Sequence, residues 1–194
     1  TSVIPAGGNN ISSDVAAGLR TPMAEAERLK RQLGCALGRM IADDEEMEVP
    51  GVGGHPPRRA ARRLLSDIIE PRVEEIFSEV RRRVEETGML EQISSGCVLT
   101  GGAALMEGMV ECAEEVLGMP VRLGFPVGVR GIVQLVQGPQ YATGVGLVRY
   151  GAQQLLDHQV RQGALPVTRP AAEAAPEREA RKGRRFLDWL RDAF

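Results

Sequence analysis

Four groups of residues in this sequence combine types and spacings that could do chemistry. Glu27 and Lys30 are three apart in a helical pattern, which places a carboxylate and an ammonium on one face. Taken alone, such a pair is an ordinary solvated ion pair. In Val98-Leu99-Thr100-Gly101-Gly102-Ala103-Ala104 a strand pattern turns into a helical one at paired glycines. Glycines there let the backbone approach a ligand, and free N–H groups at the helix start suit a nucleotide, although a tight turn that only packs well fits too. Arg58, Arg59, Arg62 and Arg63 are four arginines within six residues and no acid lies among them. That is a local positive field for an acidic peptide, or else a solvated face. Finally, at 100° per residue, Phe186, Leu187, Trp189, Leu190, Ala193 and Phe194 fall within an arc of about 160°. With Arg184 and Arg185 just before it, this is the pattern of a helix lying in a membrane interface; docking on the protein's own body, or fraying, are the alternatives.

The elements that must position these groups follow from periodicity and punctuation. Ser2-Val3-Ile4 reads as strand, running into the Gly7-Gly8 turn. Residues 9–20 read as a helix with Ile11, Val15, Ala16 and Leu19 on one face. Thr21-Pro22 opens a second helix, with Thr21 as its cap and Gly34 as its stop. Residues 35–54 predict short strands and a hairpin ending at Gly53-Gly54. From about Arg59 to Leu90 the apolar residues Leu64, Leu65, Ile68, Ile69, Val73, Ile76, Phe77, Val80 and Val84 are helically spaced, and Pro71 should kink or split that helix. Cys97–Thr100 predicts a short buried strand leading directly into a helix, 121–123 another strand, and 141–156 a further helix. Alternation of this kind predicts an α/β fold. Residues 160–183, rich in Ala, Pro, Glu and Arg, predict a disordered linker spanning about 25–30 Å. Residues 184–194 are the amphipathic helix.

Composition excludes several function classes. A net charge of −2 and 4% aromatic residues argue against nucleic-acid binding, with neither a general basic surface nor stacking platforms. Three widely spaced cysteines (Cys35, Cys97, Cys112) without a C-x-x-C pair read as reduced thiols rather than a disulfide frame or zinc site. No signal-peptide pattern is visible, and no apolar run is long enough to span a bilayer. A start at Thr1 in strand-like sequence suggests a fragment of a longer chain.

The ordered set Val-Ile-Pro-Ala-Gly-Gly-Asn-Asn-Ile-Ser-Ser-Asp-Val-Ala (3–16), Ala-Glu-x-x-Lys (26–30), Val-Pro-Gly-Val-Gly-Gly-His-Pro-Pro-Arg (49–58), Ile-Ile-Glu-Pro-Arg (68–72), Val-Leu-Thr-Gly-Gly-Ala-Ala (98–104) and Tyr-Ala-Thr-Gly-Val-Gly-Leu (141–147) resembles the FtsA family. These are actin-like bacterial division proteins. The resemblance implies the second lobe of an actin/hexokinase/chaperone-type ATPase fold, with residues 1–9 and 91–159 as subdomain 2A and 10–90 as subdomain 2B. It implies ATP as the ligand. Gly101, Gly102 and Ala103 would form the adenosine motif, with Glu27 and Lys30 flanking the ribose and adenine. Many relatives carry a third glycine where Ala103 stands, and its methyl is small enough to leave the site open.

Phosphate loops and the acids that hold Mg2+ are expected upstream of Thr1, so no catalytic or metal residue is assigned within the chain. Alone, it is expected to bind ATP weakly or not at all. The resemblance also implies that the small subdomain receives the C-terminal peptide of FtsZ, with Arg58, Arg59, Arg62 and Arg63 as candidates and Lys30 or Arg31 at the margin. His55 stands where the resemblance leads one to expect a basic residue, a departure that bears on the strength or the pH dependence of that contact. The implied role is an adaptor at the division site. It would polymerise, tether FtsZ to lipids on the cytoplasmic face of the cell membrane, and recruit other division proteins, with weak ATPase activity at most. Two rivals on the same fold are a sugar or acetate kinase and a scaffold such as MreB or PilM. Neither His55 nor His158 sits in a convincing kinase site.

Overall fold

The computed structural model describes residues 1–89, 92–93, 95–129 and 133–161. The chain divides into two compact units, Thr1–Arg149 and Tyr150–Phe194. The first unit opens with residues 1–4 in no regular element, and Val3 is 85% exposed. The strand expected there does not form, because no described segment pairs with it. Helix α1 (Gly8–Leu19) begins where the Asn10 side chain accepts a hydrogen bond from the Gly7 N–H at 3.0 Å. It ends at Arg20, the one non-glycine residue with positive φ among those described.

Helix α2 (Met23–Leu33) starts after Pro22 and stops at Gly34, as the sequence predicts. Thr21 is not its cap. The Thr21 hydroxyl instead donates to the Pro50 carbonyl at 2.8 Å, a long-range bond that local pattern does not reveal. Strands β1 (Glu46–Val49) and β2 (Arg58–Ala61) pair antiparallel, with Glu46 opposite Ala61 and Val49 opposite Arg58. The hairpin therefore extends past Gly53-Gly54, which lie in its connection. Arg58 and Arg59 belong to a strand rather than to the head of the next helix.

Helix α3 (Arg62–Glu86) runs through Pro71 unbroken. Pro71 and Asp67 are both exposed, so the carbonyl deprived of its N–H partner lies on the solvent side of the helix. Leu65, Ile69, Val73 and Phe77, four apart, form the buried stripe of α3, which packs on α1 and on α4 (Met109–Leu117). Ile11, Val15 and Leu19 of α1, Leu29 of α2, and Cys112, Ala113 and Leu117 of α4 complete the core. Each Leu, Ile, Val or Phe among them contributes about 1.5–3 kcal/mol by leaving water.

Strands β3 (Cys97–Leu99) and β4 (Val121–Leu123) pair in parallel, joined through α4. That is the expected α/β unit, but β3 is not buried. Val98 is 50% exposed, while Cys97 and Leu99, on the opposite face of the strand, pack against the core. The helix expected directly after Gly101-Gly102 is also displaced. A 3-10 turn (Ala103–Leu105) comes first, and α4 starts after Gly108. Further 3-10 turns at Val133–Leu135 and Pro139–Tyr141 lead to α5 (Ala142–Arg161). In the second unit, Tyr150–Arg161 is helical, and the Gln153 amide donates to Asp157 at 2.9 Å. Residues 160 and 161, expected to open the linker, instead end α5; the rest of the linker (162–183) and the amphipathic helix 184–194 lie outside the described residues. No helix among the described residues is long and apolar enough to cross a membrane.

Candidate functional site

Three segments far apart in sequence, with Gln140 from the turn before α5, line one open cleft of about 910 Å3 within the first unit. The start of α1 brings Gly7, Gly8, Asn9 and Asn10, and α2 brings Glu27, Lys30 and Arg31. The turn after β3 brings Thr100 to Ala103, with Leu105 and Met106 beyond. Its volume suits a nucleotide-sized ligand.

Each segment has a local reason to be there. Thr100 closes the strand end: its hydroxyl donates to the Gly124 carbonyl at 2.9 Å. Gly101 then turns the chain at φ +104°, a conformation costly for any residue with a side chain, and its N–H reaches the Pro139 carbonyl at 3.2 Å. A Cβ at Gly101 would meet nothing within 4 Å, so the space beside it is free for a ligand. Ala103, by contrast, packs: a Cβ on Gly8 would lie 3.5 Å from the Ala103 methyl.

Glu27 and Lys30 form more than a surface pair. The Lys30 ammonium donates to Glu27 Oε2 at 2.5 Å, to Ser12 Oγ at 2.8 Å and to the Gly8 carbonyl at 3.0 Å. Its side chain is 8% exposed, against 42% for Glu27. The Ser12 hydroxyl also hydrogen-bonds Glu27. Burial alone would raise the Glu27 carboxyl, but hydrogen bonds from Lys30 and Ser12, with the charges of Lys30 and Arg31, hold it below the usual carboxylate range. Ser12 was not singled out from sequence. On an apolar helix face it looks like filler, and only its place four residues after Gly8 hints that it reaches the cleft.

The arginine segment behaves differently from its sequence. The run is acid-free in the chain but not in space. Arg59, 84% exposed, lies 3.4 Å from Glu46, and Arg63, 50% exposed, lies 3.6 Å from Asp43. Arg58 donates to the Leu19 carbonyl at 3.2 Å. Arg62 is turned inward. Its side chain is 14% exposed and bonds Glu45 at 2.7 Å, Glu107 at 2.5 Å and the Leu33 carbonyl at 2.8 Å. The four therefore do not share one outward face. The membrane candidates Arg184, Arg185, Phe186, Leu187, Trp189, Leu190 and Phe194 lie outside the described residues.

The fold that holds this cleft is of the actin-like class. The structure matches that of MreB 5 of Spiroplasma citri bound to AMPPNP with a TM-score of 0.61, over 82% of this chain and 47% of that one, at 16% identity. The ADP-bound form of the same protein gives 0.55. At such identity the likeness shows the fold alone.

Sequence relatives narrow the class, and the chain belongs to the FtsA family of cell division proteins. The family model "Cell division protein FtsA" matches residues 1–146. FtsA of Pseudomonas aeruginosa is 45% identical over 157 residues, 81% of this chain and 38% of that protein. FtsA of Escherichia coli K12 is 40% identical over 164 residues, 81% of this chain and 39% of that protein. FtsA of Neisseria meningitidis is 38% identical over 197 residues, the whole of this chain and 45% of that one. The chain thus spans less than half the length of these curated relatives.

Proposed function

We propose that this chain forms the adenosine-binding and partner-facing half of a cell division adaptor, which binds ATP, self-associates, and ties FtsZ to the membrane. The observation that carries the reading is the convergence of Gly7–Asn10, Glu27 and Gly101–Ala103 on one cleft. Gly101 leaves room for close approach of a flat base. Glu27 supplies an exposed, ionised acceptor beside it. Nucleotide-bound neighbours of the same fold support this assignment.

In this reading residues 10–90 receive the acidic tail of FtsZ, and the outward arginines Arg58, Arg59 and Arg63 meet it, while Arg62 is committed within the chain. Residues 184–194 dock on anionic lipid, and 162–183 act as the tether. The match to the whole chain in one relative supports treating this tail as part of the same protein. Reversing charge at Arg58 and Arg59 in the full-length protein is expected to abolish binding of the FtsZ tail peptide, and deleting 181–194 to abolish sedimentation with anionic liposomes. Unchanged tail affinity at moderate salt, or liposome binding without the tail, contradicts the reading.

A further inference from the structure

We propose that Arg62 couples the cleft to the β1–β2 hairpin, so that a ligand held in the cleft orders the root of the hairpin. This rests on the nucleotide reading above.

Each nitrogen of the Arg62 guanidinium grips a different segment. Nε donates to the Leu33 carbonyl at 2.8 Å, Nη1 to Glu45 at 2.7 Å and Nη2 to Glu107 at 2.5 Å. Two of these acceptors belong to walls of the cleft. Leu33 ends α2, which carries Arg31, and Glu107 directly follows Met106; Arg31 and Met106 both line the cleft. Outside the cleft the same two walls are joined by backbone. Cys35 bridges Glu107, and the Ala36 N–H donates to the Glu107 carbonyl at 2.8 Å. The third acceptor, Glu45, stands at the root of the hairpin. Its carbonyl also receives the Arg62 N–H at 2.8 Å, next to the pairing of Glu46 with Ala61. A guanidinium is planar and presents its donors in a fixed fork, so its acceptors cannot shift against one another without losing a bond. With the side chain only 14% exposed, little water is at hand to replace a lost partner. A nucleotide touching both α2 and the turn after β3 fixes their spacing, and Arg62 passes that constraint to Glu45. The other end of the hairpin is held separately, by the Thr21 hydroxyl on the Pro50 carbonyl and by Arg58 on the Leu19 carbonyl. The coupling therefore acts at the root.

The test is amide hydrogen exchange of the full-length protein with and without saturating ATP, read by mass spectrometry. In wild type, ATP should slow exchange about fivefold in peptides covering 44–48 and 59–63, as well as in those covering 100–106. In Arg62→Ala the effect of ATP at the root should fall to within about twofold of none, while 100–106 stays protected. Glu45→Ala, which cuts only the hairpin arm and leaves Arg62 on Leu33 and Glu107, should do the same. Thr21→Val, which cuts the strap at the other end of the hairpin, should leave the response at the root intact. If Arg62→Ala does not fold or no longer binds ATP, Glu45→Ala decides by the same ratio. A root response that survives in Arg62→Ala or Glu45→Ala, or that Thr21→Val abolishes, overturns the coupling. Wild-type protection at 100–106 with none at the root overturns the coupling and leaves the nucleotide reading standing. Protection at neither place removes both.

Discussion

Replacing Arg62 by alanine should open the junction between α2, the β1–β2 hairpin and the loop before α4. The guanidinium donates to Leu33 O at 2.8 Å, in the last turn of α2, and to carboxylates of Glu45 and Glu107. Truncation leaves that carbonyl without its charged donor and removes a side-chain stem that is largely covered. The two ion pairs count for less, because solvent screens carboxylates that are 39% and 46% exposed. The expected local loss is about 2 kcal/mol. The reporter is the Ala36 N–H, which donates to the Glu107 carbonyl at 2.8 Å next to the isolated bridge between Cys35 and Glu107. Amide hydrogen exchange at Ala36 should accelerate about 30-fold. Arg59→Ala, at a side chain 84% exposed, should leave it within about twofold. Equal effects from the two substitutions, or no change in either, would refute the inward role given to Arg62.

Thiol chemistry should follow burial. Cys97 is half-buried, whereas Cys35 and Cys112 are fully buried. Burial pushes the Cys35 thiol up and the Cys112 thiol up to about 11, so iodoacetamide at pH 8 should label Cys97 first and the other two only on unfolding, as read by mass spectrometry. Hydrogen bonding from Arg82, and then from Arg83, lowers the Glu79 carboxyl to about 2. A carboxyl depressed from 4.5 supports the fold above its unfolded value and loses that support as pH falls toward 2. The C-terminal half of α3 should therefore fray on acidification through that window, and Glu79→Gln should remove the transition from an NMR pH titration. Gly101→Val should fill the space beside the turn and strain a backbone at φ +104°, abolishing ATP binding with a stability loss of about 1–3 kcal/mol; retained affinity would place the ligand elsewhere.

Much of the scaffold was legible because it is locally determined. The stripes of α1 and α3 follow from spacing, and the stop falls at Gly34, where the backbone is extended and a Cβ would lie 2.3 Å from the Lys30 carbonyl oxygen. Strand β2 was not legible. Arg58-Arg59-Ala60-Ala61 has no apolar alternation, and what makes it a strand is its pairing with Glu46–Val49 across the hairpin. The same non-local cause moved Thr21 from helix cap to hairpin anchor. Glu27, Lys30 and Gly101–Ala103 could be nominated from the ordered motifs, yet their division of labour could not. That Lys30 points inward, that Ser12 holds Glu27, and that Arg62 is paired with Glu45 and Glu107 depend on contacts between segments 15 to 45 residues apart.

In the proposed function one cleft, built from α1, α2 and the turn after β3, holds the nucleotide. Photo-crosslinking of full-length protein with 8-azido-ATP, followed by peptide mapping, tests it most directly. Label is expected within residues 100–106 or 27–31, suppressed by excess ATP and lost in Gly101→Val. Label confined to other peptides, or label that excess ATP does not suppress, would contradict it.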